Sequence, residues 1–393
     1  MRDSVLLGDC VSVLSAIQDE SVDVLYLDPP FYSQRKHVLR GRGKSEVFEF
    51  DDTWQDVESY IQFMRERLAA CRKVLKKTGS IFLHCDRSAS HHLRVLMDEI
   101  FGAECFQSEI IWAYRRWSNS KRGLLNAHQV ILFYSKTRDF KFFPAYEDYS
   151  PTTNLDQIFQ KRKRGVSGKT EYKTSSDGLF EINEAKKGVP LSDVWNIPYL
   201  NPKAKERVGY PTQKPLLLLE RIISLVSEPG DLVLDPFCGS GTTLVAAKLL
   251  GRSYIGIDRS PEAVILSEER LENPVRTESA LMKNGVDSYR NVPRDIELVL
   301  DELDVQLVQR NAGIDGFVKI NGEIRPIPLR VQRPGESVSL VLKKVARSSR
   351  TQGFTECVVL VREGGDPEEQ IIDSVRVILA SKENFESIRS MLA

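Results

Sequence analysis

Asp28-Pro29-Pro30-Phe31 closes an apolar run of strand length, residues 22–27. Two prolines stiffen the turn and remove backbone donors, which leaves carbonyls there free to accept hydrogen bonds. A carboxylate, a free carbonyl and an aromatic ring then converge at one sheet edge. That combination suits a planar group bearing an amine: Asp28 and a proline carbonyl accept its two N–H bonds, and Phe31 stacks on its face. The plain alternative is a rigid turn with an exposed aspartate.

A second constellation is Asp231-Leu-Val-Leu-Asp235-Pro236-Phe237-Cys238-Gly239-Ser240-Gly241-Thr242-Thr243. A buried strand runs into a glycine turn and a helix follows directly. Glycines let a ligand approach the backbone closely, and a helix N-terminus favours a polar or anionic group. The next strand ends in Gly256-Ile257-Asp258, where a carboxylate can accept both hydroxyls of a ribose. An adenosine-containing cofactor follows from that arrangement; a plain tight turn is the alternative. The dinucleotide fingerprint fails, because Leu244 stands where its third glycine belongs. Gly43-Lys44-Ser45 and Gly168-Lys169-Thr170 fail as phosphate loops, because Val38 and Lys163 occupy the first glycine position. His84-Cys85-Asp86 with His91-His92 lacks a second ligand pair at suitable spacing, so no metal site is expected.

The elements that must position these residues alternate between strand and helix. Strands are expected at 4–7, 22–27, 80–85, 109–114, 129–134, 231–234 and 254–257. Helices are expected at 10–17, 56–75, 88–100, 215–226, 242–250 and 261–271, the last with Pro261 in its first turn. Lys76, Lys77 and Gly79 read as the end of the second helix. Such alternation with short connections means a mostly parallel α/β sheet. Residues 136–207 break the rhythm with polar, aromatic and basic sequence, and read as an insertion. A last unit, 293–393, carries expected strands at 317–320, 328–332, 337–342 and 357–361.

The chain has 393 residues with 55 Lys+Arg and 55 Asp+Glu, 41% hydrophobic and 28% charged. This is a globular composition with material for a sizeable core, and it excludes disordered, collagenous and membrane classes. The N-terminus lacks the apolar core of a signal peptide, and the six cysteines form no C-x-x-C pair. Reduced thiols and a cytoplasmic location are expected. Neutrality hides an asymmetry. Arg35, Lys36, Arg40, Arg42 and Lys44 lie within 32–45 without an acidic residue, and 114–173 holds 13 basic against 5 acidic residues. Such a chain suits a polyanion met on one face.

The paired motifs resemble those of the β group of amino-directed DNA methyltransferases. Asp28-Pro29-Pro30-Phe31 matches their D/N/S-P-P-Y/F motif, and Asp235-Pro-Phe-Cys-Gly-Ser-Gly-Thr-Thr matches their cofactor motif. Tyr210-Pro-Thr-Gln-Lys214-Pro resembles their H-P-T-Q-K-P segment with Tyr in place of His, and Gly8-Asp9-Cys10 resembles a short G-D-x motif. The catalytic motif precedes the cofactor motif, which is that group's order. The likeness spans roughly residues 3–275. It implies a Rossmann-like methyltransferase core over 1–275, with 136–207 as target-recognition region. The implied reaction is methyl transfer from S-adenosyl-L-methionine to the N6 amine of an adenine flipped out of double-stranded DNA, within restriction–modification or epigenetic marking. Asp in the first position favours adenine over cytosine-N4, which is the alternative; a non-catalytic DNA-binding protein of the same fold is a further one.

The resemblance assigns Asp28, Pro29, Pro30 and Phe31 to catalysis. It assigns Asp9, Lys214, Asp235, Phe237, Cys238, Gly239, Ser240, Gly241, Thr242 and Asp258 to the cofactor. Arg35, Lys36, Arg115, Arg116, Lys161, Arg162, Lys163 and Arg164 are the expected DNA contacts. A cognate restriction endonuclease and a homodimer are the protein partners it leaves open, and no membrane is expected. Cytosine-C5 chemistry would need a nucleophilic cysteine, commonly in Pro-Cys, which is absent. The last unit faintly resembles nuclease-like domains fused to such enzymes. Only Asp315 offers a metal ligand there, while Arg330 and Gln332 stand where an acceptor and a lysine are wanted. An inactive α+β accessory domain for DNA binding or assembly is therefore expected.

Overall fold

The computed structural model describes residues 2–40, 47–114, 123–147, 161–165, 168–176, 181, 188–201, 204–210, 212–277, 292–308, 313–320, 323–351, 354–361 and 368–392. Two units divide the chain, Met1–Glu278 and Ser279–Ala393. The first unit begins β1 (Ser4–Leu7), α1 (Cys10–Leu14), β2 (Val22–Leu27), β3 (Arg35–Arg40), β4 (Val47–Asp52), α2 (Val57–Val74) and β5 (Leu75–Cys85). It continues with α3 (Ser90–Phe101), β6 (Phe106–Ala113), β7 (His128–Ser135), β8 (Arg162–Arg164), β9 (Thr170–Tyr172) and β10 (Val194–Asn196). It closes with α4 (Leu216–Val226), β11 (Leu232–Asp235), α5 (Thr242–Leu249), β12 (Ser253–Asp258) and α6 (Pro261–Glu272).

Eight strands form the central sheet in the order β1-β12-β11-β2-β5-β7-β6-β10, and only β7 runs antiparallel to its neighbours. Side chains alternate across each strand, so one strand feeds two cores. Leu25 and Leu27 of β2 pack with residues of α1, α2 and α3, whereas Val24 and Tyr26 pack with α4 and α5. This three-layer α/β arrangement agrees with the expected class. Strand β2 connects through α2 to β5 on one side, and β11 connects through α5 to β12 on the other. The crevice beyond the carboxyl ends of β2 and β11 is therefore a switch point of the sheet, the usual ligand position in such folds.

Four local readings change. Helix α2 ends at Val74, and Lys76, Lys77 and Gly79 lie in β5, where the Lys76 ammonium reaches Asp23 at 2.7 Å and the Gly79 carbonyl accepts from Lys136 N–H. The basic run after Phe31 is a hairpin, β3 paired antiparallel with β4. The inserted region returns to the sheet before its expected end, because β10 pairs in parallel with β6 and buries Trp195. Residues 337–342 are not a strand. Val338, Leu340 and Leu342 alternate, but Val341, Leu342, Val345, Ala346 and Ser349 bury one helical stripe of a helix spanning Val338–Thr351.

All six cysteines are free and buried. Among the described residues no helix is long and apolar enough to cross a membrane.

The second unit holds a six-stranded mixed sheet. In chain order its elements are α7 (Arg294–Glu302), β13 (Gln306–Leu307), β14 (Gly316–Ile320), β15 (Glu323–Val331), α8 (Val338–Thr351), β16 (Glu356–Leu360), β17 (Glu368–Ile372), β18 (Val375–Ala380) and α9 (Phe385–Met391). Strands β13, β14 and β15 form an antiparallel meander, β16 joins β15 in parallel, and β18 and β17 complete the sheet. Asp315, the one expected metal-ligand candidate, is buried and fully engaged. Its carboxylate accepts from Val331 N–H at 2.8 Å and, in bidentate fashion, from the Arg333 guanidinium at 2.8 and 2.6 Å. Arg330 pairs with Glu336 instead of facing Asp315 as an acceptor would. A cation would have to displace an internal guanidinium, so the full-length protein with Mg²⁺ is expected to leave unmodified plasmid DNA uncut. Linear product that disappears in Asp315→Ala would overturn that expectation.

Candidate active site

Strands β2 and β11 are hydrogen-bonded neighbours, with Val24 and Leu25 opposite Val233 and Leu234. Their carboxyl ends deliver Asp28-Pro29-Pro30-Phe31 and Asp235-Pro236-Phe237 side by side into one cleft of about 1160 Å³. That exceeds the usual span of single-ligand pockets, roughly 300–1,000 Å³, and leaves room for a cofactor beside a base. Asp9, Asp28, Pro29, Pro30, Phe31, Lys214, Asp235, Phe237, Cys238, Gly239, Ser240, Thr242 and Asp258 all line it.

Two layers hold the Asp28 carboxylate. The Lys214 ammonium donates to Oδ2, and also to the Thr212 carbonyl at 3.2 Å. Lys214, which the resemblance assigned to the cofactor, lines the cleft and sits on the Asp28 carboxylate, 5.3 Å from the centre of the Phe31 ring. The other oxygen, Oδ1, is buried and, among the described residues, without a hydrogen-bond partner. Burial pushes the Asp28 carboxyl above its ordinary range, and Lys214 offsets this only in part. Beneath Oδ1 lies His84 of β5, wholly buried, with Nδ1 at 3.8 Å. Burial, reinforced by Lys214, holds His84 well below its ordinary pKa, so the ring is neutral. Its nitrogens meet the Tyr26 hydroxyl at 2.7 Å and Gln129 Oε1 at 3.1 Å.

The Phe31 ring is fixed through its backbone. Asp52, the last residue of β4, accepts from the N–H groups of Phe31, Tyr32 and Ser33 at 3.2, 3.0 and 2.8 Å, and from the Trp54 indole at 2.9 Å. Tyr32 and Gln34 sit at φ 60° and 54°, conformations that side chains other than glycine adopt only under constraint. The Pro30 carbonyl accepts from the Tyr60 hydroxyl at 2.9 Å, so it is not the free acceptor that the sequence left between the two prolines. Pro29 is the carbonyl that remains for an amine.

The glycine turn is built just as tightly. Asp235 accepts from Phe237 N–H at 3.0 Å and from the Thr243 hydroxyl at 2.6 Å, and burial raises its carboxyl to about 7. Gly239 N–H donates to Asp258 Oδ2 at 2.8 Å, and Ser260 N–H to Oδ1 at 2.9 Å, which leaves further lone pairs of Asp258 for the cleft it lines. Gly241 adopts φ 73°, and a Cβ there would lie 2.7 Å from Ser267 Oγ. It shapes the turn without lining the cleft. Ser240 and Thr242 turn their hydroxyls to the buried Arg270, which also donates to the Ser240 carbonyl, while Ser267 Oγ donates to the Gly239 carbonyl at 2.9 Å. A Cβ on Gly239 would meet the Tyr210 ring at 3.0 Å, so the tyrosine of the Gln-Lys-Pro segment walls the turn. Burial pushes the Cys238 thiol well up, which suits a packing role rather than a nucleophile. Asp9 caps α1 through Val11 N–H at 3.0 Å and pairs with the buried Arg67 at 2.7 Å.

The arrangement fits an adenosine-bearing sulfonium donor: the glycine turn lines the cleft through Gly239, and the Asp258 carboxylate stands one strand away. Of the expected DNA contacts, Arg35 and Lys36 are exposed at the start of β3. Lys161 precedes, and Arg162, Lys163 and Arg164 form, the exposed strand β8, paired with β9. Lys161 lies 3.7 Å from Glu181, and Arg162 sits over Tyr172. Arg115 and Arg116 lie outside the described residues.

The sequence missed Asp52, Tyr26, His84 as a supporting group, Gln129, Arg67, Ser267 and Arg270. Each acts on a partner distant in sequence. The signal available for Asp52 was the alternation Val47-Phe48-Glu49-Phe50 closing the basic run as a hairpin.

The type II methyltransferase M.HinfI of Haemophilus influenzae is 30% identical over 281 residues, 68% of either chain. M.HpaI of Haemophilus parainfluenzae, also a type II methyltransferase, is 30% identical over 300 residues, 75% of this chain and 81% of that one. Among solved structures, the cytosine-N4-specific PvuII DNA methyltransferase aligns with TM-score 0.47 and 18% identity, over 74% of this chain and 92% of its own. TTHA0409 of Thermus thermophilus, complexed with S-adenosyl-L-methionine, aligns with TM-score 0.42 and 19% identity, over 70% and 96%. The sequence pattern of the N6/N4 DNA methylases matches residues 22–269, which take in both motif-bearing strands and the Gln-Lys-Pro segment between them. The chain belongs to that family of DNA methylases.

Proposed function

We propose that this protein methylates the N6 amine of adenine within a specific double-stranded DNA site, as the modification activity of a restriction–modification system. The observation that carries the reading is Oδ1 of Asp28, buried and, among the described residues, without a hydrogen-bond partner, on a residue that lines the cleft the glycine turn shares. The relatives' description as type II methyltransferases supports the restriction–modification setting. A cognate endonuclease of the same site would then be the partner activity, and homodimerisation its companion proposal.

A base inside a duplex cannot reach this cleft, so it must be flipped out at a cost of a few kcal/mol. Stacking on Phe31 returns about 1–3 kcal/mol. Asp28 and the Pro29 carbonyl accept the two N–H bonds of the amine and turn its lone pair toward the glycine turn. When bound there, S-adenosyl-L-methionine supplies an electrophilic methyl group. Asp258 would hold the ribose, and Gly239 with Phe237 would bound the adenosine. Transfer is then direct and driven by positioning. Asp28 is placed to receive the proton that the methylated amine sheds. Arg35, Lys36 and the basic β8 strand would meet phosphates, which position the duplex without reading it. The second unit serves as an accessory domain in this reading.

The test is transfer of tritiated methyl groups from the donor to plasmid DNA, followed by hydrolysis and chromatography of the bases. Label in N6-methyladenine is the expected result. Label in N4-methylcytosine would establish the alternative base, and no label in any DNA would mean a DNA-binding protein that keeps the fold without the reaction.

A further inference from the structure

We infer that Gln129 reads the target base, by donating its carboxamide N–H to the ring nitrogen next to the amine that is methylated. The inference rests on the proposed methylation and adds the contact by which the cleft recognises its base.

Hydrogen-bond polarity is set along three residues. Tyr26 is buried, and its hydroxyl lies 2.7 Å from His84 Nδ1. A phenol in a dry core keeps its proton and must donate it; burial raises its pKa further. Nδ1 of the neutral imidazole therefore accepts, and the ring proton sits on Nε2. That proton goes to Gln129 Oε1, 3.1 Å away. Fixing the carbonyl end of the amide fixes the other end too: the NH₂ group turns away from His84. Gln129 is half-buried and lines the cleft, and among the described residues nothing accepts from its amide nitrogen.

Register sets this donor beside the catalytic acceptor. His84 and Ile131 are partners across β5 and β7, and Gln129 lies two residues from Ile131, on the same face of β7. The imidazole spans the interval, with Nδ1 at 3.8 Å from Asp28 Oδ1 and Nε2 on Gln129. Trp112 holds the ring edge-on, 5.6 Å between centroids, and Phe31 lies 5.7 Å away on another side. The wall thus offers an acceptor, Asp28, followed by a donor, Gln129. That is the complement of an amine beside an unprotonated ring nitrogen, as in adenine N6 and N1 or cytosine N4 and N3. Guanine and thymine present a carbonyl beside a ring N–H, and would set acceptor against acceptor and donor against donor. Reading a flipped base by this edge is the general habit of enzymes that act on bases.

The test pairs a protein variant with an atom change in the substrate. Single-turnover methylation is measured for the full-length wild type and for Gln129→Leu, on duplexes carrying adenine or 1-deazaadenine at the target position. On adenine the variant should be slower by about ten-fold, the scale of one hydrogen bond. On 1-deazaadenine, which has C–H in place of the acceptor, the two proteins should react at the same rate. Any difference in ease of flipping cancels in that ratio. Gln129→Glu keeps the bond from His84 and replaces the donor by an acceptor, so it should be slower still on adenine and lose that extra deficit on 1-deazaadenine, where a C–H faces the carboxylate. Unchanged binding of S-adenosylhomocysteine by both variants confirms that the cleft is intact. A ten-fold ratio that persists on 1-deazaadenine, or no loss on adenine, would overturn the inference. If the wild type labels cytosine instead of adenine, the adenine reading fails while the same comparison with 3-deazacytosine decides the inference. No transfer to either base would overturn both.

Discussion

Asp28→Ala is expected to lower methyl transfer by on the order of 10³-fold, the scale on which one preorganised polar contact to a reacting group is felt, with donor binding changed by no more than a few-fold. The separation follows from the structure. The carboxylate stands at the end of β2, whereas the glycine turn is held by Asp235, Thr243, Ser267 and Arg270, none of which contacts Asp28 by hydrogen bond. Equilibrium binding of labelled donor beside single-turnover transfer measures both quantities. Near-normal turnover would remove Asp28 from the mechanism. Asp28→Asn should fall less, because a carboxamide retains one acceptor oxygen. The sign of the pH response follows too. In the proposed mechanism Asp28 acts in its ionised form, and burial raises its pKa in the folded protein. Activity should therefore be lost, as pH falls, at a higher pH than an exposed aspartate would give. That acid limb should vanish in Asp28→Asn.

The second large effect belongs to Asp52. Its carboxylate is 1% exposed and gathers three consecutive backbone N–H groups and one indole. Hydrogen bonds to an ionised group contribute about 1.5–3 kcal/mol each, and the left-handed Tyr32 and Gln34 need such constraint. In Asp52→Ala the stacking platform loosens while the glycine turn is untouched. One such contribution withheld from the transition state corresponds to ~10–100-fold in rate. We expect kcat to fall by that factor with donor binding preserved, and the thermal midpoint to fall as well. A 2-aminopurine placed at the target position gives an independent readout. Flipped and stacked on Phe31 it is quenched; flipped but unstacked, as in the variant, it stays brighter. Equal fluorescence and equal kcat would show that Asp52 merely closes the hairpin.

Both effects show where sequence reasoning reaches. Asp28, Phe31, Asp235, Gly239 and Asp258 were legible, because each lies in a short run whose strand, turn and helix signals are local. Their supports were not. Asp52 acts 20 residues from Tyr32, and Arg270 acts 30 residues from Ser240. Nothing in a linear pattern says that a helix-borne arginine will turn inward to hold a turn carbonyl. Lys214 was read with its neighbours in the motif, yet its partner sits 186 residues away across the sheet. The sheet itself was legible from alternating apolar runs. Helix α8 was not, because three alternating residues imitate a strand until the burial of Val345 and Ser349 shows a helical period.

The buried thiols make the protein simple to label at one chosen point. Each of the six cysteines is buried, and burial raises the pKa of every one, so little thiolate is available for alkylation or oxidation. A cysteine introduced at an exposed position, such as Glu58 on α2, would be the reactive thiol among the described residues. A single fluorophore or spin label can then be attached to the otherwise native chain, and domain motion or duplex engagement followed without first stripping cysteines from the core.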